Sequence, residues 1–313
     1  MIELAPWLQA CHKQVQHLKQ SKKLSHALLI TGADGVGQEY LAKELVKDLM
    51  CEKIDQGVAC GHCHSCELMA GESHPDYYFL DGEEATIKVD QVRQLINKIN
   101  QKPQVGNNKV VLITHAQSMN INASNAVLKA LEEPADQTYF LLTSSQSTSL
   151  MPTIRSRCLL VNVPTPSQME VESWLQSQPD GEALSALFWL TTQPFRLLSL
   201  EKQQKTGIYT SLPEKIKELM QGTTTVESLL TGVSNSNTID YCNGLAAILH
   251  QCLCHSAGST IHPVLSEVYP LIMQRMGIQA LMTRYQALQR LKSDLSKTNL
   301  NPVMQLTHEL NQW

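Results

Sequence analysis

At 313 residues with 42% hydrophobic content, the sequence holds enough material for two or three domains with real cores. A net charge of −4 excludes a bulk nucleic-acid binder, so any DNA contact has to come from a local patch. No stretch approaches the ~18 consecutive apolar residues of a membrane span, and Met1-Ile2-Glu3 begins nothing like a secretory signal, so a cytoplasmic protein with no membrane partner is expected.

The first 25 residues carry Trp7 and a polar helical pattern with Gln14, His17, Lys19, Lys22 and Lys23, which predicts an entry helix with a solvated cationic face. His26-Ala27-Leu28-Leu29-Ile30 predicts a buried strand, and Val36, Tyr40, Leu41, Leu45 and Leu49 predict a helix face after it. Between them lies the turn Gly32-Ala33-Asp34-Gly35-Val36-Gly37-Gln38-Glu39. Strand, glycine turn and helix are the context of a phosphate-binding P-loop, and Gly32 and Gly37 have its spacing. A working P-loop continues with Lys, which neutralises phosphate, and Ser or Thr, which holds magnesium. Here the two residues are Gln38 and Glu39. A neutral amide cannot replace the ammonium, and a carboxylate repels the anion the loop should cradle. The motif keeps its shape and has lost its chemistry. A Rossmann dinucleotide site fails on spacing, because Gly32, Gly35 and Gly37 do not form G-x-G-x-x-G.

Four of the nine cysteines cluster next: Cys51, Cys60, Cys63 and Cys66, spaced C-x8-C-x2-C-x2-C. Two overlapping C-x2-C steps bring three thiolates to one ion, and Cys51 at the end of the preceding helix supplies a fourth. Four thiolates suit a closed, structural tetrahedral Zn²⁺ site with no position for catalytic water. An iron–sulfur cluster is the second choice, though the ferredoxin spacings are absent. His62 and His64 are alternative ligands, and unligated thiols packed in a loop are the bland alternative. Cys11, Cys158, Cys242, Cys252 and Cys254 are scattered and read as ordinary buried thiols.

Tyr77-Tyr78-Phe79-Leu80 predicts a short second strand, and Ile87, Val89, Val92, Leu95, Ile96 and Ile99 predict a helical stripe. Lys109-Val110-Val111-Leu112-Ile113 reads as a central parallel strand buried on both faces. In a working ATPase such a strand ends in Asp-Glu, for magnesium and for activating water. This one ends in Thr114-His115, and His115 reads as a hydrogen-bonded structural residue. Two independent losses at the two halves of one site argue that hydrolysis has been given up.

Asn125-Ala126-Val127-Leu128-Lys129-Ala130-Leu131-Glu132-Glu133-Pro134 follows, an amphipathic helix stopped by its proline. Asn125 and Lys129 share one face, with Glu132 and Glu133 in reach of Lys129, the pattern of a surface ion pair. Tyr139-Phe140-Leu141-Leu142-Thr143 makes a fourth strand. Ile154-Arg155-Ser156-Arg157-Cys158 leads to the fifth, Leu159-Leu160-Val161. Five strands alternating with helices predict a doubly wound parallel α/β sheet. Val163-Pro164-Thr165-Pro166-Ser167 is a stiff breaker. Two or three short helices are expected from Gln168 to about Lys205, and helices throughout from Thr206, broken at 222–225 and 232–237. The stripe Val268, Leu271, Ile272, Met276, Leu281, Tyr285, Leu288, Leu291 and Leu295 reads as bundle core or partner-helix surface.

The element from Asn125 to Pro134, Ser156-Arg157-Cys158 and the four-cysteine insertion together resemble the delta-prime family of the bacterial DNA polymerase III clamp loader, an AAA+ family. The resemblance covers residues 1 to about 200, with a weaker echo at Leu300-Asn301-Pro302. It implies an AAA+ domain over 1–163 with a zinc module at 51–66, a helical lid over 164–205, and a helical collar over 206–313. It also implies that Arg157 is an arginine finger reaching the ATP site of a neighbouring motor subunit. Ser144 matches a sensor position. The second sensor arginine falls near Phe195, with Arg196 one place late. The family's role is that of a stator which hydrolyses no ATP itself. It belongs to the polymerase holoenzyme with the gamma/tau motor and delta subunits, which together load the sliding clamp on primed DNA. Two other readings differ in class. An ATPase with an aberrant P-loop has to work around Gln38, Glu39, Thr114 and His115. A zinc-dependent nucleic-acid reader has to work without basic and aromatic interleaving around Cys60–Cys66.

Overall fold

The structure is a computed structural model that describes residues 4–313 except 55, 56, 84, 146, 147, 149, 179 and 296–300. Leu300 of the C-terminal echo lies outside the described residues. The chain divides into two compact units, Met1–Glu170 and Val171–Trp313.

The first unit is built on five strands: β1 (Ala27–Thr31), β2 (Tyr77–Asp81), β3 (Lys109–Thr114), β4 (Thr138–Ser144) and β5 (Leu159–Asn162). All pairings are parallel, in the order β2-β3-β4-β1-β5. Strands β1 and β3 are buried along their whole length, as continuous apolar runs inside a two-faced sheet must be. Alternate residues divide between the faces. Ala27, Leu29, Val111, Ile113, Phe140 and Leu142 join one core with α4 (Val89–Ile99) and α5 (Ile121–Glu132). On the sheet, α2 (Gln38–Met50) packs against β1, β3 and β4, and α1 (Pro6–Gln20) lies on α2. The short helices α3 (His64–Ala70) and α6 (Pro152–Arg155) complete the unit. The chain leaves β1 toward the β2 edge and returns to β5 on its other side. Loops after β1, β3 and β4 therefore meet at one edge of the sheet, where an α/β fold places its ligands.

The second unit is helical: α7 (Gln168–Gln176) at the join, α8 (Gly181–Ser185), α9 (Pro194–Lys202), α10 (Thr206–Gln221), α11 (Val226–Leu229), α12 (Thr238–Ser256), α13 (Val268–Leu295) and α14 (Pro302–Leu310). Its core is the packing of α12 on α13 and α10. Gly244 makes the close approach possible, since a Cβ there would lie 2.5 Å from Leu212 Cδ2. No helix among the described residues is long and apolar enough to cross a membrane.

Three local expectations need correction. Val36 belongs to the glycine turn, because α2 starts only at Gln38. Ile87 precedes α4 and forms an isolated parallel bridge with Met119. The apolar stripe of α13 is broken at Gly277, whose φ of 69° and ψ of 170° kink it, and only Val268, Ile272, Leu281, Leu288 and Leu291 of the stripe are buried.

Candidate functional site

The glycine turn has the backbone of a phosphate loop. Gly35 and Gly37 take φ values of +68° and +104°, a region L side chains rarely adopt. Gly32 is held by space instead: a Cβ would meet Val36 Cγ2 at 2.9 Å and Val163 Cβ at 3.1 Å. The indole Nε1 of Trp7 on α1 donates to the Val36 carbonyl at 2.8 Å, which pins the turn from behind. The shape is thus maintained by packing within the protein.

The chemistry differs. Gln38 is fully buried, and neither its amide oxygen nor its amide nitrogen has a hydrogen-bond partner in the protein. Glu39 sits with its Oε1 3.7 Å from His115 Nε2 and accepts from the Thr143 hydroxyl at 3.4 Å. Burial pushes the Glu39 carboxyl up, against the pull of hydrogen bonds and of His115. At the end of β3, the Thr114 hydroxyl donates to Asp81 Oδ1 at 2.7 Å, and His115 Nδ1 lies 3.8 Å from the same oxygen. Burial raises the Asp81 carboxyl, but the Thr114 hydroxyl, the Glu83 N–H, His115 and Lys43 together bring it below its ordinary value. His115 takes a left-handed φ of 49°, and its N–H donates to Thr143 Oγ1 at 3.2 Å. Glu39, Thr143, His115, Asp81 and Thr114 therefore form one polar network across the edge where strands β1, β3 and β4 end. His115 is legible in the sequence as the residue that follows β3, whereas Asp81 is not, because β2 runs one residue further than its apolar stretch. Ser144 is fully buried at the end of β4, and its carbonyl accepts the Gly32 N–H at 3.4 Å.

The four clustered cysteines converge. Their sulfurs all lie within 4.8 Å of one another, with Cys51–Cys60 at 3.6 Å and Cys51–Cys63 at 3.9 Å. The edge of a tetrahedron with metal–sulfur bonds of about 2.3 Å is about 3.8 Å, so the spacing fits one tetrahedral ion. A disulfide needs about 2.05 Å, and all the cysteines are free. The thiols split in acidity. Burial raises Cys63, but the N–H groups of Cys66 and Glu52 and the neighbouring thiols outweigh it and hold it at about 6. Burial and its thiol neighbours push Cys66 to about 12, and burial raises Cys51. Four thiolates repel one another without a cation, so the donor set fits a metal ion. His62 and His64 are exposed and outside the cluster, and the His62 ring is hydrogen-bonded to the Cys60 carbonyl at 2.8 Å.

Two supports around this loop were not visible in the sequence. Buried Asp48 on α2 bonds His12 Nε2 at 2.7 Å with one oxygen and accepts the Ala59 N–H at 2.8 Å with the other. Lys19, expected on a solvated face, instead donates to the Asp48 carbonyl, and burial lowers its pKa. On the far side, the Ser65 hydroxyl donates to the Met50 carbonyl at 2.7 Å and stands 2.9 Å from His74 Nε2. His74 Nδ1 accepts the Asp76 N–H at 3.2 Å, which assigns the ring proton to Nε2.

Arg157 is partly exposed just before β5. Its Nη2 lies 2.6 Å from Glu132 Oε1, at the last turn of α5, and its Nη1 donates to the Thr153 carbonyl at 3.0 Å. Glu132 thus pairs with Arg157, and Lys129 makes no ion pair among the described residues. In the second unit, Phe195 packs against Trp174 with ring centroids 5.3 Å apart, and exposed Arg196 lines a shallow cavity with His250 and Lys292. Of the scattered thiols, Cys11, Cys242 and Cys252 are buried, whereas Cys158 and Cys254 are only half-buried.

Residues 7–167 match the protein family described as "DNA polymerase III, delta subunit". The DNA polymerase III subunit delta' of Pseudomonas aeruginosa is 34% identical over 100% of this chain and 98% of its own length. That of Haemophilus influenzae is 33% identical over 96% and 93%. The chain belongs to the DNA polymerase III delta-prime family. The DNA polymerase III subunit tau/gamma of H. influenzae is 32% identical over 50% of this chain and 22% of its own length. Among solved structures, a DNA polymerase III gamma subunit-related protein of Thermotoga maritima covers 96% of this chain and 98% of its own. Its TM-score is 0.52 at 17% identity, which is a likeness of fold. The family relation agrees with a replication protein whose chain carries the three features above: a glycine turn, a four-thiol cluster and a partly exposed arginine before β5.

Proposed function

We propose that this chain is a non-hydrolysing stator of a clamp loader, an AAA+ subunit that supplies Arg157 in trans to a neighbouring ATPase subunit. The observation that carries the reading is the remodelled nucleotide site. Gln38, a buried amide, follows the glycine turn where a working P-loop has its lysine, and Glu39, His115 and Asp81 gather nearby, with Thr114-His115 in place of an Asp-Glu pair at the end of β3. Carboxylates that already accept hydroxyl hydrogen bonds, Glu39 from Thr143 and Asp81 from Thr114, are poorly disposed to coordinate magnesium, and Glu39 repels a triphosphate. The isolated chain is accordingly expected to lack ATPase activity.

What the chain can offer is a planar, permanently charged fork on its rim. A guanidinium placed against the γ-phosphate of another subunit stabilises the charge of the transition state, an effect of about 10³–10⁵ in rate for fingers of this kind. The partners in this reading are gamma/tau motor subunits and a delta subunit, acting together on the sliding clamp and primed DNA. Residues 164–205 serve as the lid, and 206–313 as the collar through which the subunits associate. Cys51, Cys60, Cys63 and Cys66 hold a structural Zn²⁺. When bound, the ion supplies only a cross-link and positive charge, since all four tetrahedral positions belong to thiolates.

The test is DNA-stimulated ATP hydrolysis by complexes rebuilt from motor and delta subunits with either the wild-type chain or Arg157→Ala. The substitution is expected to cut turnover while the complex still assembles. Equal turnover in the two complexes would leave the chain as a scaffold and sink the finger assignment.

A further inference from the structure

Resting on the finger reading, we infer that Glu132 is an intramolecular counter-ion that competes with a neighbouring subunit's nucleotide phosphates for Arg157. The guanidinium is engaged on both of its terminal nitrogens. Nη2 pairs with Glu132 Oε1 at 2.6 Å, and Nη1 bonds the Thr153 carbonyl at 3.0 Å and Ser156 Oγ at 3.4 Å. The fork is folded back onto its own subunit.

The position of Glu132 supports a role for this pair. It is the last residue of α5, whose capping residue is Glu133. The C-terminal end of a helix carries partial negative charge, so it is an unfavourable place for carboxylates. Arg157 relieves that repulsion, which gives the guanidinium an electrostatic seat when no phosphate is offered. The seat is shallow by construction. The side chains remain 36% and 43% exposed, so the pair is solvated and screened. A triphosphate offers more negative charge and the same two-pronged geometry, and displaces the carboxylate. Glu132 thus acts through Arg157 and touches no nucleotide itself.

The size of the effect follows from the exposure. Exposed pairs change an equilibrium by between about 1.4- and 5-fold. In rebuilt complexes at low ionic strength, Glu132→Gln is therefore expected to raise kcat/KM for ATP by about 1.4- to 5-fold. The gain should shrink as salt rises, because the competing pair is screened in the wild type. Glu132→Gln/Arg157→Ala should match Arg157→Ala alone. Assembly is checked by gel filtration in every case.

The outcomes separate the two claims. If Arg157→Ala cuts turnover while Glu132→Gln leaves kcat/KM unchanged or lower, the competition is wrong and the finger stands. A gain from Glu132→Gln that persists in the Arg157→Ala background also overturns it, since Glu132 then acts without Arg157. If Arg157→Ala changes nothing, the finger reading itself falls and this inference falls with it.

Discussion

Replacing Asp48 with Ala is the most informative single perturbation of the first unit. The Asp48 carboxylate is buried and takes two short hydrogen bonds, from His12 on α1 at 2.7 Å and from the Ala59 N–H at 2.8 Å. A hydrogen bond to a charged group contributes about 1.5–3 kcal/mol, and removing one partner of a buried pair typically costs about 3–5 kcal/mol. The two bonds share one carboxylate and are not additive, so a loss of about 3 kcal/mol is expected. For a unit of this size that corresponds to about 6–12 °C in Tm. Asp48→Asn keeps an acceptor oxygen for Ala59 and should cost roughly half as much. Ala59 precedes Cys60, so the same variant should loosen the metal loop. Supporting groups of this kind typically change metal affinity by about 10–100-fold. Thermal unfolding of the full chain, with metal competition against a chromophoric chelator, reads both effects. A stability change under about 0.5 kcal/mol together with unchanged metal affinity refutes the idea that Asp48 ties the helices to the loop.

Two further predictions concern the same region. Protein purified under reducing conditions should contain one zinc per chain, released with thiolate protonation at low pH, and finding none would sink the zinc assignment. Burial lowers the His74 pKa below 6.5, and the fold uses the neutral ring, since Nδ1 accepts a backbone N–H. A depressed folded pKa means that the unfolded chain takes up the proton first. The contribution is complete above about 6.5 and is lost as pH falls from there toward the folded value. Wild type should therefore lose more stability than His74→Asn between about pH 7 and 5.5, and parallel urea curves for the two would count against it.

Much of the fold was legible because the signals were local. Continuous apolar runs marked β1, β3 and β4, since a strand covered on both faces needs apolar residues at every position. The cysteine spacing marked the thiol cluster for the same reason: two C-x2-C steps constrain the chain on their own. What stayed hidden were pairings made by the fold. Glu132 points toward Lys129 on a helical wheel, yet Arg157, 25 residues later, reaches it because α6 packs against α5. The His12–Asp48 bond spans 36 residues, and nothing in either neighbourhood announces it. Asp81 lies just past the apolar stretch of β2, and its place opposite Thr114 follows only from the register of β2 on β3.

The glycine turn has a consequence for how this chain can vary. Its shape depends on left-handed Gly35 and Gly37, on the fit of Gly32 against Val36 and Val163, and on the Trp7 indole, none of which involves a phosphate. The turn is also not held by the side chain of Gln38, whose amide atoms make no hydrogen bond within the protein. This sets different freedoms on neighbouring positions. Gln38→Met would remove a buried amide without a partner and should be neutral or better, whereas any side chain at position 37 would strain the backbone. On the non-hydrolysing reading proposed above, such a site can drift at positions 38 and 39 and stay fixed at its glycine hinges, like an engine block still machined to tolerance.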